Sequence, residues 1–268
     1  MISVSDVRTA GGFPSDLISD SEIQHCLKVV EKYVEKSLNT SFEPKVRLDF
    51  LDGTNQEFFY CDKNPVLRVD ALISNEVEVD VSKIFVHRES GRIDLTRENN
   101  ISRFFGSHNG IRVQYWSAYL VSDDEQYLVS DDASKGENVE VVLNTANDLS
   151  VDDWVEIKNT DVSTSAKIVN ISGSTITLDR LQYDVKLGSI LTKLIIPEFI
   201  KRFVELEAVI YLSLNAIGAT YVFNASYSLG DLNVTKGVPY THWRESLEKA
   251  IKERETLRKI VKPRIKIV

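Results

Sequence analysis

Between Pro197 and Gly218 the residues Phe199, Ile200, Phe203, Val204, Leu206, Val209, Ile210, Leu214 and Ile217 recur at helical spacing and leave no wide polar face. Proline is tolerated in a first helical turn and glycine favours a helix end, so the spacing predicts one helix bounded by these two residues. Each of these side chains contributes roughly 1.5–3 kcal/mol when fully buried. Left in water, the set would forfeit more than a domain's net stability of about 5–15 kcal/mol. This helix has to be central to the fold. A second helix follows. Trp243, Leu247, Ala250, Leu257 and Val261 fall at alternating four- and three-residue steps, broken only at Arg254, while most other positions are Glu, Lys or Arg. It buries a single seam. The stretch between the two, from Ala219 to His242, is polar, aromatic and punctuated by glycine, which predicts a loop presented by a helical frame.

The C-terminal end differs electrically from the rest. Residues 244–266 carry nine Lys or Arg against four Glu, in a chain whose net charge is -8. Pro263 does not comfortably continue a helix, so Arg264, Ile265, Lys266, Ile267 and Val268 read as an extended tail of alternating basic and apolar residues. Such a tail suits strand addition to a partner; the plainer alternative is a solvated helix face with a frayed terminus. Nucleic-acid recognition fits less well, because the chain is acidic overall and no aromatic residue interleaves the basic run.

At 268 residues and 43% hydrophobic, the chain can bury a substantial core and has room for two domains. No stretch approaches the ~20 apolar residues of a membrane span. Met1-Ile-Ser-Val-Ser-Asp6 lacks the basic and apolar regions of a signal peptide, so folding in a cytoplasm is the expectation. Cys26 and Cys61 are the two cysteines; one lies in a helical apolar pattern and one at a strand end, which predicts buried free thiols rather than a disulfide.

Near the start, Ser19-Asp-Ser-Glu22 spells a capping box, and Ile23, Leu27, Val30, Val34 and Leu38 mark the face of a helix that ends before Pro44. The period then changes to two. Val46, Leu48 and Phe50 alternate with Arg47 and Asp49; Asp52-Gly53 predicts a turn, and residues 57–61 a returning hairpin strand. Further strands are expected at 66–73, 77–79, 84–86, 91–95 and 111–116. The expected fold class is α+β: a helical core with a small antiparallel sheet, plus an inserted all-β module.

That module is the segment 119–193. It holds fourteen Asp or Glu against six Lys or Arg, while the remaining residues balance at 26 against 26. Short strands at 139–143, 153–158, 166–171, 175–179 and 189–192, with turns at Ser172-Gly173 and Leu187-Gly188, predict a small barrel or sandwich. The domain reading is therefore 1–118 with 194–268 as one body and 119–193 as an insertion. Its leading edge repeats six residues, Tyr119-Leu-Val-Ser-Asp-Asp124 and Tyr127-Leu-Val-Ser-Asp-Asp132. These lack the alternating oxygen ligands and fixed glycine of a calcium loop, so two strand ends with solvated acidic turns are expected, with no metal.

Enzyme signals are missing. His25, His87, His108 and His242 show no metal-ligand spacing, and neither a nucleophile-elbow motif nor a phosphate-cradling glycine loop occurs. Adjacent acids such as Asp152 and Asp153 would point to opposite faces of a strand and make a poor acid/base pair. Neither catalysis nor a cofactor is expected.

Asp6-Val-Arg8, Ile18 to Ile23, Val46 to Gly53, Asn64 to Val69, Gly91 to Leu95, Ile111 to Tyr115 and Tyr227 to Val234 together resemble the head-to-tail connector (adaptor) proteins of tailed viruses, over about residues 1–118 and 194–268. The resemblance implies a virion structural protein made in the host cytoplasm and located in the neck. It implies a ring, usually of twelve subunits, beneath the portal protein, around the channel through which genomic DNA passes without sequence-specific binding. Portal, tail and neck proteins are the implied partners, and no membrane. It also puts Leu229, Gly230, Asp231, Asn233 and Lys236 in a channel-side loop, and Arg264, Ile265, Lys266, Ile267 and Val268 against the portal. The segment 119–193 departs from short family members and would be an outward decoration. The rival expectation is a carbohydrate- or receptor-binding virion decoration protein with Trp154, Tyr183 or Tyr127 as stacking platforms, and a tail-completion protein is a nearby alternative.

Overall fold

A computed structural model describes residues 2–159, 162–223, 228–229, 232–233 and 240–261, with side chains described for 2–159, 162–215 and 247–259. The chain is mostly β, which overturns the expectation of a helical core carrying a small sheet. Among the described residues, thirteen strands make three antiparallel sheets and two more a short ladder, accompanied by four α-helices. The physical reason lies in pairing. Each predicted strand segment recruits partners distant in sequence, so the sheets take up the whole middle of the chain instead of decorating a helical frame. Two compact units result, residues 1–38 with 197–268, and residues 39–196.

The first unit contains α1 (Val4–Gly11), α2 (Asp20–Ser37), α3 (Glu198–Phe223) and α4 (Tyr240–Val261). The capping box read in the sequence is present at α2: the Ser19 hydroxyl accepts from the Glu22 amide at 3.3 Å, and the Glu22 carboxylate accepts from the Ser19 amide at 2.8 Å. A second box, Ser3 with Asp6, starts α1, which Gly12 ends in the left-handed conformation (φ 60°). The sequence reading did not single out this short helix. α2 buries Ile23, Cys26, Leu27, Val30 and Val34. α3 packs against α1, α2 and α4, burying Ile200, Phe203, Val204, Leu206, Ala208, Val209, Ile210 and Leu212. Gly218 does not end it. A helical glycine costs only about 1 kcal/mol relative to alanine, and with Ala216 and Ala219 beside it the helix continues to Phe223.

The second unit begins with β1 (Lys45–Leu51), β2 (Phe58–Tyr60), β3 (Val66–Ser74), β4 (Val77–Glu78), β5 (Ile84–His87), β6 (Arg92–Leu95) and β7 (Ile111–Ser117). They form a four-stranded sheet, β1-β7-β3-β4, and a three-stranded sheet, β2-β6-β5. Between them lies a core of Phe59, Val66, Val69, Leu72, Ile84, Ile93, Phe104, Ile111, Val113 and Tyr115. The expected hairpin across Asp52-Gly53 is absent. β1 pairs along its length with β7, and β2 pairs with β6. Gly53 instead lies against the chain near Phe105, where an added Cβ would meet the Phe105 carbonyl oxygen at 1.6 Å, so glycine serves close backbone approach here.

β8 (Val121–Leu128), β9 (Gly136–Val142), β10 (Trp154–Lys158), β11 (Ser163–Ser172), β12 (Thr175–Leu181) and β13 (Ile190–Ile195) follow, close to the strands expected for the acidic segment. Their sheet, ordered β8-β13-β10-β11-β12-β9, stays open. Its two edges meet only at a single bridge between Val129 and Leu143, just past β8 and β9, so the barrel-like closure expected from strand spacing does not form. Val155, Ile157, Ala166, Ile168, Ile176, Leu178 and Leu191 fill its core. The boundary expected between residues 118 and 119 falls inside this unit, where Leu67, Ala118, Leu120, Trp154 and Leu194 share a separate apolar cluster.

Candidate functional site

The long helices α3 and α4 are the frame in which the sequence placed its loop. Both Arg202–Glu253 hydrogen bonds, at 2.8 and 2.9 Å, tie the first half of α3 to the second half of α4, as an antiparallel pair requires. Arg202 also holds Glu205 at 2.7 Å. The bonds to Glu253 are the largest cause of an Arg202 pKa raised above its ordinary value. Arg254, which interrupts the apolar seam of α4, reaches Glu207 of α3 at 3.4 Å and Glu255 at 2.8 Å. The interruption is thus a paired charge.

Of the expected channel-side residues, Leu229 lies in β14 (Ser228–Leu229) and Asn233 in β15 (Leu232–Asn233), a two-strand ladder with Leu229 opposite Leu232. Gly230, Asp231 and Lys236 lie outside the described residues, as do Arg264, Ile265, Lys266, Ile267 and Val268 of the expected docking tail. Within the same unit, Leu17, His25, Cys26, Tyr211 and Asn215 line an open groove of about 610 Å³ between the start of α2 and α3. Tyr211 and Leu214 make an exposed apolar strip on α3.

Two of the three residues offered as stacking platforms are buried and the third is half-buried. Tyr127 is 1% exposed and Trp154 6% exposed. Tyr183 donates its hydroxyl to the Ile84 carbonyl, and burial pushes its pKa up. Burial likewise lifts Tyr127 to about 12, with Glu125 adding to it. The first acidic repeat runs largely within β8, and the Asp132 carboxylate of the second accepts from the Leu187 amide at 2.8 Å and from Lys186 at 3.1 Å. Among the described residues no group of three or more His, Cys, Asp or Glu is placed to hold a metal ion.

The strongest electrostatic cluster of the β unit joins two sheets. Arg68 of β3, 3% exposed, forks onto Asp179 of β12 through two bonds of 2.8 Å and donates to Asp70 at 2.8 Å. Burial disfavours its charge, but the bonds to Asp179 and the charge of Asp70 outweigh that and raise its pKa. Trp116 donates to the second Asp70 oxygen at 2.8 Å and its ring lies 5.0 Å from that of Trp154. Glu156, also buried, accepts from Ser122 and Ser163 at 2.6 Å and faces Arg88 at 3.4 Å. Burial pushes its pKa up, while the serine bonds and Arg88 pull it down, with a net lowering. With every charge answered inside the fold, these groups hold the structure together and offer no free acid or base.

No protein-family model matches this chain, and no curated protein matches it either. Two sheet faces carry exposed apolar side chains. On β1, Val46, Leu48 and Phe50 are 48%, 59% and 54% exposed, while Asp49 on the opposite face accepts from the Tyr115 hydroxyl at 2.6 Å. On the three-stranded sheet, Phe58, Tyr60, Phe85, His87, Arg92 and Asp94 share the outer face, since Phe59, Ile84 and Ile93 are buried on the inner one. The signal was the two-residue alternation within residues 58–60, 85–87 and 92–94, but its pairing was invisible without the registers.

Proposed function

We propose that the protein is a virion structural protein of a tailed virus, a head-to-tail connector whose copies form a ring between portal and tail and continue the DNA channel. The observation that carries this reading is the antiparallel α3–α4 pair flanking the short ladder at Ser228–Asn233. At about 1.5 Å per residue the two helices are roughly 39 and 33 Å long, long enough to line a passage and to hold the intervening segment at one end. The paired charges Arg202–Glu253 and Arg254–Glu207 tie the two helices together.

On this reading the partners are the portal protein, tail or neck proteins and further copies of the same chain, with residues 264–268 as the portal-docking strand. Removing residues 264–268 tests it. The shortened chain should keep its circular dichroism spectrum yet fail to enter virus particles; incorporation at the level of the full chain would refute the docking role.

A further inference from the structure

The outer face of the three-stranded sheet carries six side chains in a two-by-three grid. One row runs Phe58, Asp94, Phe85 across β2, β6 and β5, and the next runs Tyr60, Arg92, His87. The centre is polar and internally bonded: Arg92 donates to one Asp94 oxygen at 2.6 Å, and a His87 ring nitrogen meets the other at 2.8 Å. Arg92 lies over the Phe58 ring, 4.0 Å from its centroid. At opposite corners, Tyr60 and Phe85 are 49% and 46% exposed, and the Tyr60 ring meets that of Phe58 in a T-shaped contact with centroids 5.9 Å apart. With strands ~4.8 Å apart and same-face residues ~6.8 Å apart along a strand, these two corners are separated by about 12 Å.

We propose that this face binds a neutral carbohydrate, a short oligosaccharide lying diagonally from Tyr60 to Phe85 across the Arg92–Asp94–His87 centre. A sugar ring has a face of C–H groups and a rim of hydroxyls. The exposed rings of Tyr60 and Phe85 take the former, and the carboxylate and guanidinium of the central strand and the neighbouring imidazole exchange hydrogen bonds with the latter. Two other ligand classes fit worse. A protein hot spot places aromatic anchors in a dry centre with polar groups at the rim, and here the order is reversed. Single-stranded nucleic acid needs a surplus of positive charge beside its stacking rings, and the one guanidinium here is neutralised by Asp94. The site uses none of Trp154, Tyr183 and Tyr127, and it does not depend on the connector reading.

Saturation-transfer NMR on the full chain with maltotriose, cellotriose and chitotriose tests the proposal. At least one trisaccharide should bind with a Kd on the order of 1 mM. Tyr60→Ala and Phe85→Ala should each weaken it roughly tenfold by removing a stacking face, Tyr60→Phe should restore it, and Leu187→Ala, at an exposed apolar site elsewhere, should leave it unchanged. The proposal is overturned if none of the three sugars binds, if binding survives both alanine variants, or if the same variants instead abolish binding of an oligothymidylate.

Discussion

Replacing Arg68 by methionine should destabilise the β unit more than any other single charge removal in it. The methionine keeps most of the aliphatic volume, so the effect reports the lost charge rather than a cavity. Two carboxylates would lose their buried cation: Asp179, with two bonds of 2.8 Å, and Asp70, with one. Removing one partner of a buried pair costs about 3–5 kcal/mol. The lower end applies here. Asp179 keeps the amides of Lys167 and Arg180 at 2.8 Å, Asp70 keeps the Trp116 indole, and the side chains are 24% and 16% exposed. A loss of about 3 kcal/mol corresponds to a Tm drop of roughly 6–12 °C for a unit of this size. Urea unfolding followed by tryptophan emission is the suitable assay, because Trp116 and Trp154 both sit at the junction. Arg97→Met, at an exposed position, should stay within about 0.5 kcal/mol of the parent. A change below about 1 kcal/mol for Arg68→Met would refute the idea that this fork clamps the two sheets together.

Excising residues 119–193 should give an aggregating product rather than a soluble remainder, because Leu67, Trp116, Ala118 and Leu194 would lose the apolar surface of Leu120 and Trp154; a monomeric, folded product by light scattering would contradict this. Acid should weaken the β unit through Glu156. Its folded pKa lies below the ordinary 4.5, so its contribution is complete above that value and disappears as pH falls through the folded one. Glu156→Gln should therefore lower the urea midpoint at pH 7 and flatten its fall below about pH 4.5, and an unchanged acid limb would refute the assignment. Both thiols should resist a disulfide reagent in the native protein and react on unfolding, since burial lifts Cys26 to about 11 and Cys61 well above its ordinary value; rapid native labelling of either would overturn that.

Local structure was legible in the sequence wherever a short-range cause sets it. Ser19 and Glu22 announced their capping box, the seam of α4 its helix, and the alternations at 66–73, 111–116 and 175–179 their strands. Pairing was not legible, because it is decided by contacts far apart in sequence. Asp52-Gly53 looked like a hairpin turn, yet β1 runs beside β7 and Gly53 exists to let two chain segments touch. The same blindness explains the misjudged fold class. Two strongly periodic helices dominate a sequence reading, while sheets built from distant strands leave only scattered alternation. Trp154, Tyr127 and Tyr183 stood out as aromatics in strands, but a strand does not announce which of its faces is buried. The exposed rings of Tyr60 and Phe85 went unnoticed for that reason.

The connector reading is tested most directly by looking for the chain in tailed-virus particles purified from the source culture, with antibody raised against the full protein and immunogold electron microscopy. Label concentrated at the junction of head and tail is the predicted result. Label spread over the capsid surface or gathered at the tail tip, or particles whose denatured proteins do not include this chain, would contradict it.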